Sequence, residues 1–237
     1  MTASGVPAIG TLLYLHGGAQ VACSPVTHRP LTAAFARRGW RVFAPDYRLA
    51  PEHRFPAQND DCLAVYRGLL AAGVDPRRLV VAGDSAGCNL ALTLCLRLRE
   101  AGLPQPSALG LLSPITDYAG TGGSVQSNSK RCAMFSHTLL DVGVELYLGD
   151  HDVRDPLASP HYADLTGLPP MVFHVGADEL LRDDSVRLAE RAKQAGIEVE
   201  IEIWAVVPHV WQLHRFIPEA RASLAKVHAF LGRHVSA

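Results

Sequence analysis

Short apolar runs alternate along this chain with longer stretches in which apolar residues return every third or fourth position. The runs at 11–15 (TLLYL), 41–44 (RVFA), 79–82 (LVVA), 108–112 (ALGLL), 171–175 (MVFHV) and 198–206 (EVEIEIWAV) predict strands. Most are continuously apolar, the pattern of parallel strands covered on both faces. The last alternates Glu and Ile before Trp204, which predicts an edge strand with one wet face. The stretches 60–72, 86–101, 183–195 and 219–233 carry apolar positions at helical spacing. Gly102 and Gly196 stand just past two of these as C-terminal stops. Strand and helix in alternation imply a doubly wound α/β domain, with a mostly parallel sheet and helices on both faces. No repeat or linker-like tract marks a boundary, so 1–237 reads as one domain.

One segment breaks the alternation. Residues 116–136 (TDYAGTGGSVQSNSKRCAMFS) are polar and rich in Gly and Ser, and fall between the fourth and fifth strands. They predict a long surface loop leading into a helix near 138–148. Long loops in compact domains often serve as lids or binding loops, so 116–148 is a candidate for a lid or for one wall of a pocket. A plain surface excursion is the alternative.

Composition narrows the partners. The 237 residues are 48% hydrophobic and 19% charged, too apolar for a disordered chain. With 22 basic and 23 acidic residues, net charge −1, there is no general attraction to nucleic acid or anionic lipid. No apolar run approaches the ~20 residues needed to span a bilayer. The opening MTASGVPAIGTLLYLHGG has no basic region before its apolar stretch, so no signal peptide is read. The five cysteines are odd in number and scattered without CxxC spacing, which fits a reducing cytoplasm. The eleven histidines are scattered too, so composition does not point to a metal.

Chemistry concentrates at a few turns. Gly83-Asp84-Ser85-Ala86-Gly87 follows the buried run LVVA and opens the helix at 86–101 without a spacer. A GxSxG at a strand–helix junction is a nucleophile elbow, a turn that holds the serine in a strained conformation with its hydroxyl exposed. Glycines flank the serine because Cβ atoms would clash in so sharp a turn. The helix N-terminus aims backbone N–H groups at charge developing there. His16-Gly17-Gly18-Ala19, directly after TLLYL, is a loop of the kind that supplies oxyanion donors from Gly17 and Gly18, joined by the N–H of Ala86. His16 itself reads as a partner that orients this loop.

A serine hydroxyl needs a base, and the base needs an orienting carboxylate. On this arrangement the chain order is Ser, acid, His, each on a loop after a strand. Asp178 follows the fifth strand and is the expected acid. Asp183 and Asp184 are rivals, but they fall in the first helical turn, where the dipole alone favours acids. Asp117 is a further rival. His209 follows the last strand and is the expected base, with His214 read as a surface or packing residue.

Taken together, the chain resembles the hormone-sensitive-lipase-like family of α/β-hydrolase carboxylesterases, in its GDSAG branch. The matching residues are His16-Gly17-Gly18, Asp46-Tyr47-Arg48-Leu49-Ala50-Pro51-Glu52, Gly83 to Gly87, Asp178-Glu179-Leu180-Leu181-Arg182-Asp183 and His209-Val210. The resemblance implies an α/β-hydrolase fold and hydrolysis of small uncharged short-acyl esters by Ser85, His209 and Asp178. It implies no cofactor, and gives the DYRLAPE run the part of a brace behind the site. Ala19 and Cys88 stand where glycine is frequent in the family. The family also has two strands and a helical cap ahead of the HGG loop, where only 15 residues precede His16 here. If the sequence is complete, the expectation is an open active site and an exposed strand at 11–15. That strand or the last one would then be an edge able to pair in a homodimer. A non-catalytic small-molecule-binding protein on the same fold, and a lactone, carbamate or amide hydrolase using the same triad, are the alternatives.

Overall fold

The structure, a computed structural model, describes residues 8–235; the first seven residues of the stretch scanned for a signal peptide lie outside it. Its strands are β1 (Gly10–Leu15), β2 (Trp40–Phe43), β3 (Leu79–Asp84), β4 (Leu109–Leu112), β5 (Met171–Gly176) and β6 (Val199–Trp204). Its helices are α1 (Arg29–Ala36), α2 (Ala57–Ala71), α3 (Ala86–Glu100), α4 (Ser124–Ser127), α5 (His137–Leu148), α6 (Arg182–Gln194) and α7 (Pro218–Arg233). The strands form one sheet in the order β2-β1-β3-β4-β5-β6, every pair parallel.

The two faces of the sheet build two cores. Successive side chains of a strand point to opposite faces, so Leu13 and Leu15 pack with Val81 and the apolar residues of α2, α3 and α6. Leu12 and Tyr14 pack with Val80, Ala82 and the residues of α1 and α7. This is why the central strands read as continuous apolar runs. Helix ends follow local chemistry as well. In α6, Asp183 and Asp184 lie in the first turn and Arg191 and Lys193 in the last, where Asp183 and the two basic residues complement the helix dipole.

The strand at 11–15 is not exposed. β1 is hydrogen-bonded by β2 on one side and β3 on the other, and all six of its residues are buried. Fully burying Leu12, Leu13 and Leu15 stabilises the fold by about 1.5–3 kcal/mol apiece. The expectation failed because chain order is not sheet order: the crossover through α1 carries β2 to the outside of β1. The sheet's edges are β2 and β6, and β6 has the partly wet character that its alternating sequence predicts.

Parallel strands all present their C-terminal ends on one side, which gathers the turns carrying the candidate chemistry. At the opposite end, the Arg78 guanidinium donates to the carbonyls of Ala8 (3.3 Å) and Ile9 (3.0 Å). There Gly10 is packed so closely that a Cβ on it would lie 3.0 Å from Val235.

The segment 116–136 is not an excursion either. Thr116, Asp117, Ser124, Val125 and Asn128 are buried, and α4 lies within it. Its polarity is spent on hydrogen bonds to the chain that follows β5. The Asp184 carboxylate accepts from the amides of Thr116 (2.6 Å) and Asp117 (3.0 Å), and Asp183 accepts from the amide of Ser124 (2.8 Å).

Candidate active site

Ser85 sits between β3 and α3 with φ 51° and ψ −119°, a left-handed backbone that costs on the order of 1–3 kcal/mol in a non-glycine residue. Its turn is held by the Ser85 amide donating to the carbonyl of Leu112 (2.8 Å). The flanking glycines are sterically required. A Cβ on Gly83 would lie 2.5 Å from the backbone of Gly87, and one on Gly87 would collide with the carbonyl of Leu15. Ser113 and Val210 share the positive φ, each at 50°. For β-branched Val210 this is a genuine outlier. With Ala19, Gln20 and Cys23 in the loop after β1, positive-φ residues gather in four turns at one end of the sheet, and strain concentrated in this way is characteristic of a functional site.

The HGG loop is braced from behind. Tyr47 of the DYRLAPE run donates its hydroxyl to the carbonyl of His16 (2.6 Å) and stacks on the imidazole with ring centres 4.2 Å apart. His16 Nδ1 donates in turn to the carbonyl of Gly17 (2.8 Å), so His16 orients the loop. A Cβ on Gly17 would run into the Asp84 carboxylate. That carboxylate is buried and satisfied by Tyr14 Oη (2.6 Å) and His28 Nε2 (3.2 Å). Burial disfavours a charge on His28, but the hydrogen bond and charge of Asp84 prevail and raise its pKa. Tyr14, buried beside the same carboxylate, is pushed well up and remains a hydrogen-bond donor. The sequence reading did not find His28 or Tyr14, since neither belongs to a motif.

His209 follows β6 and is buried, its ring edge-on to Phe135 at 4.8 Å. Its Nδ1 donates to a carboxylate at 2.5 Å, and that carboxylate is Glu179, not Asp178. The reason lies in the turn after β5. The Glu179 amide donates to the carbonyl of Gly176 (3.2 Å), closing a tight turn whose third residue is Asp178. Asp178 therefore points outward, 38% exposed, and pairs with Arg131 at 3.3 Å. Glu179, one residue later and one methylene longer, turns back inside. Its other oxygen accepts from Ser113 Oγ (2.8 Å) and the Gly176 amide (2.6 Å). Asp117, Asp183 and Asp184 are engaged elsewhere, and His214 stands next to Phe216 at the surface.

Ser85 and His209 line one cavity of about 420 Å³. Its walls are apolar, including Ile115, Tyr118, Phe135 and Leu140, and α5 forms one side. Met134, Leu139 and Val142 stand at its mouth about half exposed. A smaller cavity of about 220 Å³ reaches His209 and Glu179 from beside Arg131 and Cys132. Among the described residues, no group of three His, Cys, Asp or Glu side chains could hold a metal ion, and no helix is long and apolar enough to cross a membrane.

Residues 12–213 match the model of a family described as having the alpha/beta hydrolase fold. An esterase of the bacterial hormone-sensitive lipase family superposes with a TM-score of 0.96 at 42% identity, over 99% of this chain and 80% of that one. This chain belongs to the hormone-sensitive-lipase-like family. An acetyl-hydrolase of Streptomyces hygroscopicus is 43% identical over 223 residues, 93% of this chain and 75% of that protein. An esterase of Acinetobacter venetianus is 40% identical, over 92% of this chain and 73% of its own. In this hormone-sensitive-lipase-like chain, the elbow, the HGG loop and the His209 turn follow β3, β1 and β6, as the resemblance implies.

Proposed function

We infer that this chain is a carboxylic ester hydrolase that acts on short-acyl, uncharged esters through Ser85, His209 and Glu179. The observation that carries this reading is the 2.5 Å contact between Glu179 and His209 Nδ1, on a histidine that shares its cavity with the strained Ser85. Glu179 fixes the tautomer, leaving Nε2 free to act as base. Ser85 Oγ attacks the ester carbonyl carbon as its proton passes to His209, and Glu179 stabilises the imidazolium. The tetrahedral oxyanion accepts hydrogen bonds from the amides of Gly17, Gly18 and Ala86. Collapse expels the alcohol with the proton from His209. Water then attacks the acyl-Ser85 ester, again giving its proton to His209, and the acid leaves as Ser85 recovers its own.

Substrate class follows from the cavity. Its volume lies in the usual range for small ligands, roughly 300–1,000 Å³, and its apolar walls suit an uncharged acyl group. The names of the relatives, acetyl-hydrolase and esterase, support the same class. The test is hydrolysis of p-nitrophenyl acetate and butyrate together with labelling by a fluorophosphonate. Ser85→Ala is expected to abolish both turnover and labelling. Labelling that persists in the variant, or an unaltered chain that leaves both esters intact, overturns the reading.

A further inference from the structure

Adjacent carboxylates at 178 and 179 pose a problem of register: a slip of one residue would present the wrong acid to His209. The backbone is pinned on both sides of Asp178 by a single side chain. Asn128, fully buried at the C-terminal end of α4, donates from Nδ2 to the carbonyl of Ala177 (2.9 Å) and to that of Glu179 (2.9 Å). Its amide oxygen is held by Arg131 Nη2 (2.5 Å), and Arg131 also pairs with Asp178 on the outside. One residue further on, Ser124 Oγ donates to the carbonyl of Leu180 (2.6 Å). Both Nδ2 hydrogens are thus used, the amide orientation is fixed by the guanidinium, and the turn is tied down at the carbonyls of Ala177, Glu179 and Leu180.

The geometry points to Asn128 as a positioning residue for catalysis, a clamp that selects Glu179 over Asp178 as the carboxylate that orients His209. The Gly- and Ser-rich segment between β4 and β5 then has two tasks. Ser124 and Asn128 in its middle hold the acid turn, while Tyr118, Met134 and Phe135 toward its two ends join α5 in walling the acyl cavity. The proposal rests on the esterase reading of Glu179 and His209.

The test compares Asn128→Ala, Asn128→Asp and Glu179→Gln with the unaltered enzyme. It measures kcat and KM on p-nitrophenyl butyrate and the low-field proton resonance of the His209 Nδ1–H. Displacing the acid turn by about 1 Å is enough to cost roughly 10- to 100-fold. Asn128→Ala is expected to lower kcat by at least tenfold, with KM within threefold, and to broaden or abolish the low-field resonance. Asn128→Asp, which sets a carboxylate against two carbonyls, is expected to be worse on both measures. A kcat within twofold of wild type overturns the proposal, as does a fall in kcat that leaves the resonance in place. If Asn128→Ala does not fold, the same two readouts on Arg131→Ala decide, with a weaker loss in the same direction expected and no change overturning it. Glu179→Gln separates the two readings. If it stays active, the assignment of the acid has failed; if it is inactive while the Asn128 variants are normal, only the clamp has.

Discussion

Glu179 shows how much one buried carboxylate can do when both its oxygens are used. It accepts from Ser113 Oγ, the Gly176 amide and His209 Nδ1, so its burial is matched by hydrogen bonds to the charged form. An amide in its place would aim N–H groups at other donors. Glu179→Gln is therefore expected to lower kcat on p-nitrophenyl acetate by about 10²- to 10⁴-fold. Asp178→Asn loses only a half-exposed pair with Arg131, of the kind worth about 0–1 kcal/mol, and kcat is expected to stay within twofold. The reverse order of sensitivities in a side-by-side assay would sink the assignment of Glu179. The adjacent pair also marks where sequence reasoning stops. The strand and its following acid were legible, but the hydrophobic pattern does not say which of two neighbouring carboxylates turns inward. That depends on the turn from Gly176 and on Asn128, fifty residues away in sequence.

Among the elements, α5 differs from the rest in having little of itself buried: only Tyr147 and Leu148 are fully covered, while its other apolar residues face the cavity. One wall of the cavity is therefore built where packing constraints are weakest. Gly143 lies on this wall, and a Cβ there would meet only Ala19, at an ordinary 3.5 Å. Gly143→Leu is expected to fold normally and to occupy acyl space. The ratio of kcat/KM for the butyrate ester to that for acetate should fall about tenfold, in line with what a methylene or two decides in an apolar pocket. A ratio unchanged in the variant would show that the acyl group lies elsewhere. Elements made by periodic apolar faces, such as α3, α6 and the parallel strands, were readable because burial alone forms them. The short helix α1 was not, since only eight residues carry its pattern. Segment 116–128 looked like a loop because distant carboxylates, which leave no periodicity, satisfy its backbone.

For the molecule as a whole, two buried groups give stability opposite dependences on pH. Burial foremost pushes the Asp184 carboxyl up to about 7, against the pull of the Thr116 amide. The folded chain thus prefers this group protonated. Its contribution is complete below the unfolded carboxylate range near 3.9 and is lost as pH rises toward 7. Burial also lowers His174 to about 4, so its contribution is present above about 6.5 and is lost as pH falls. Asp184→Asn keeps an acceptor oxygen for the amides of Thr116 and Asp117 and removes the ionisation. Its melting temperature relative to wild type should rise by roughly 10 °C between pH 4.5 and pH 8, with His174 common to both proteins and so cancelling. A difference that stays flat across that range would refute the account.

The parallel sheet also gives the protein a front and a back. Every strand delivers its chemistry to the front, while Ala8, Ile9, Gly10, Arg78 and Val235 meet at the back, with both extremities of the described chain among them. A tether, fusion partner or solid support joined on that rear side would leave the cavity facing the solution, so the enzyme can be anchored without obstructing the approach of an ester.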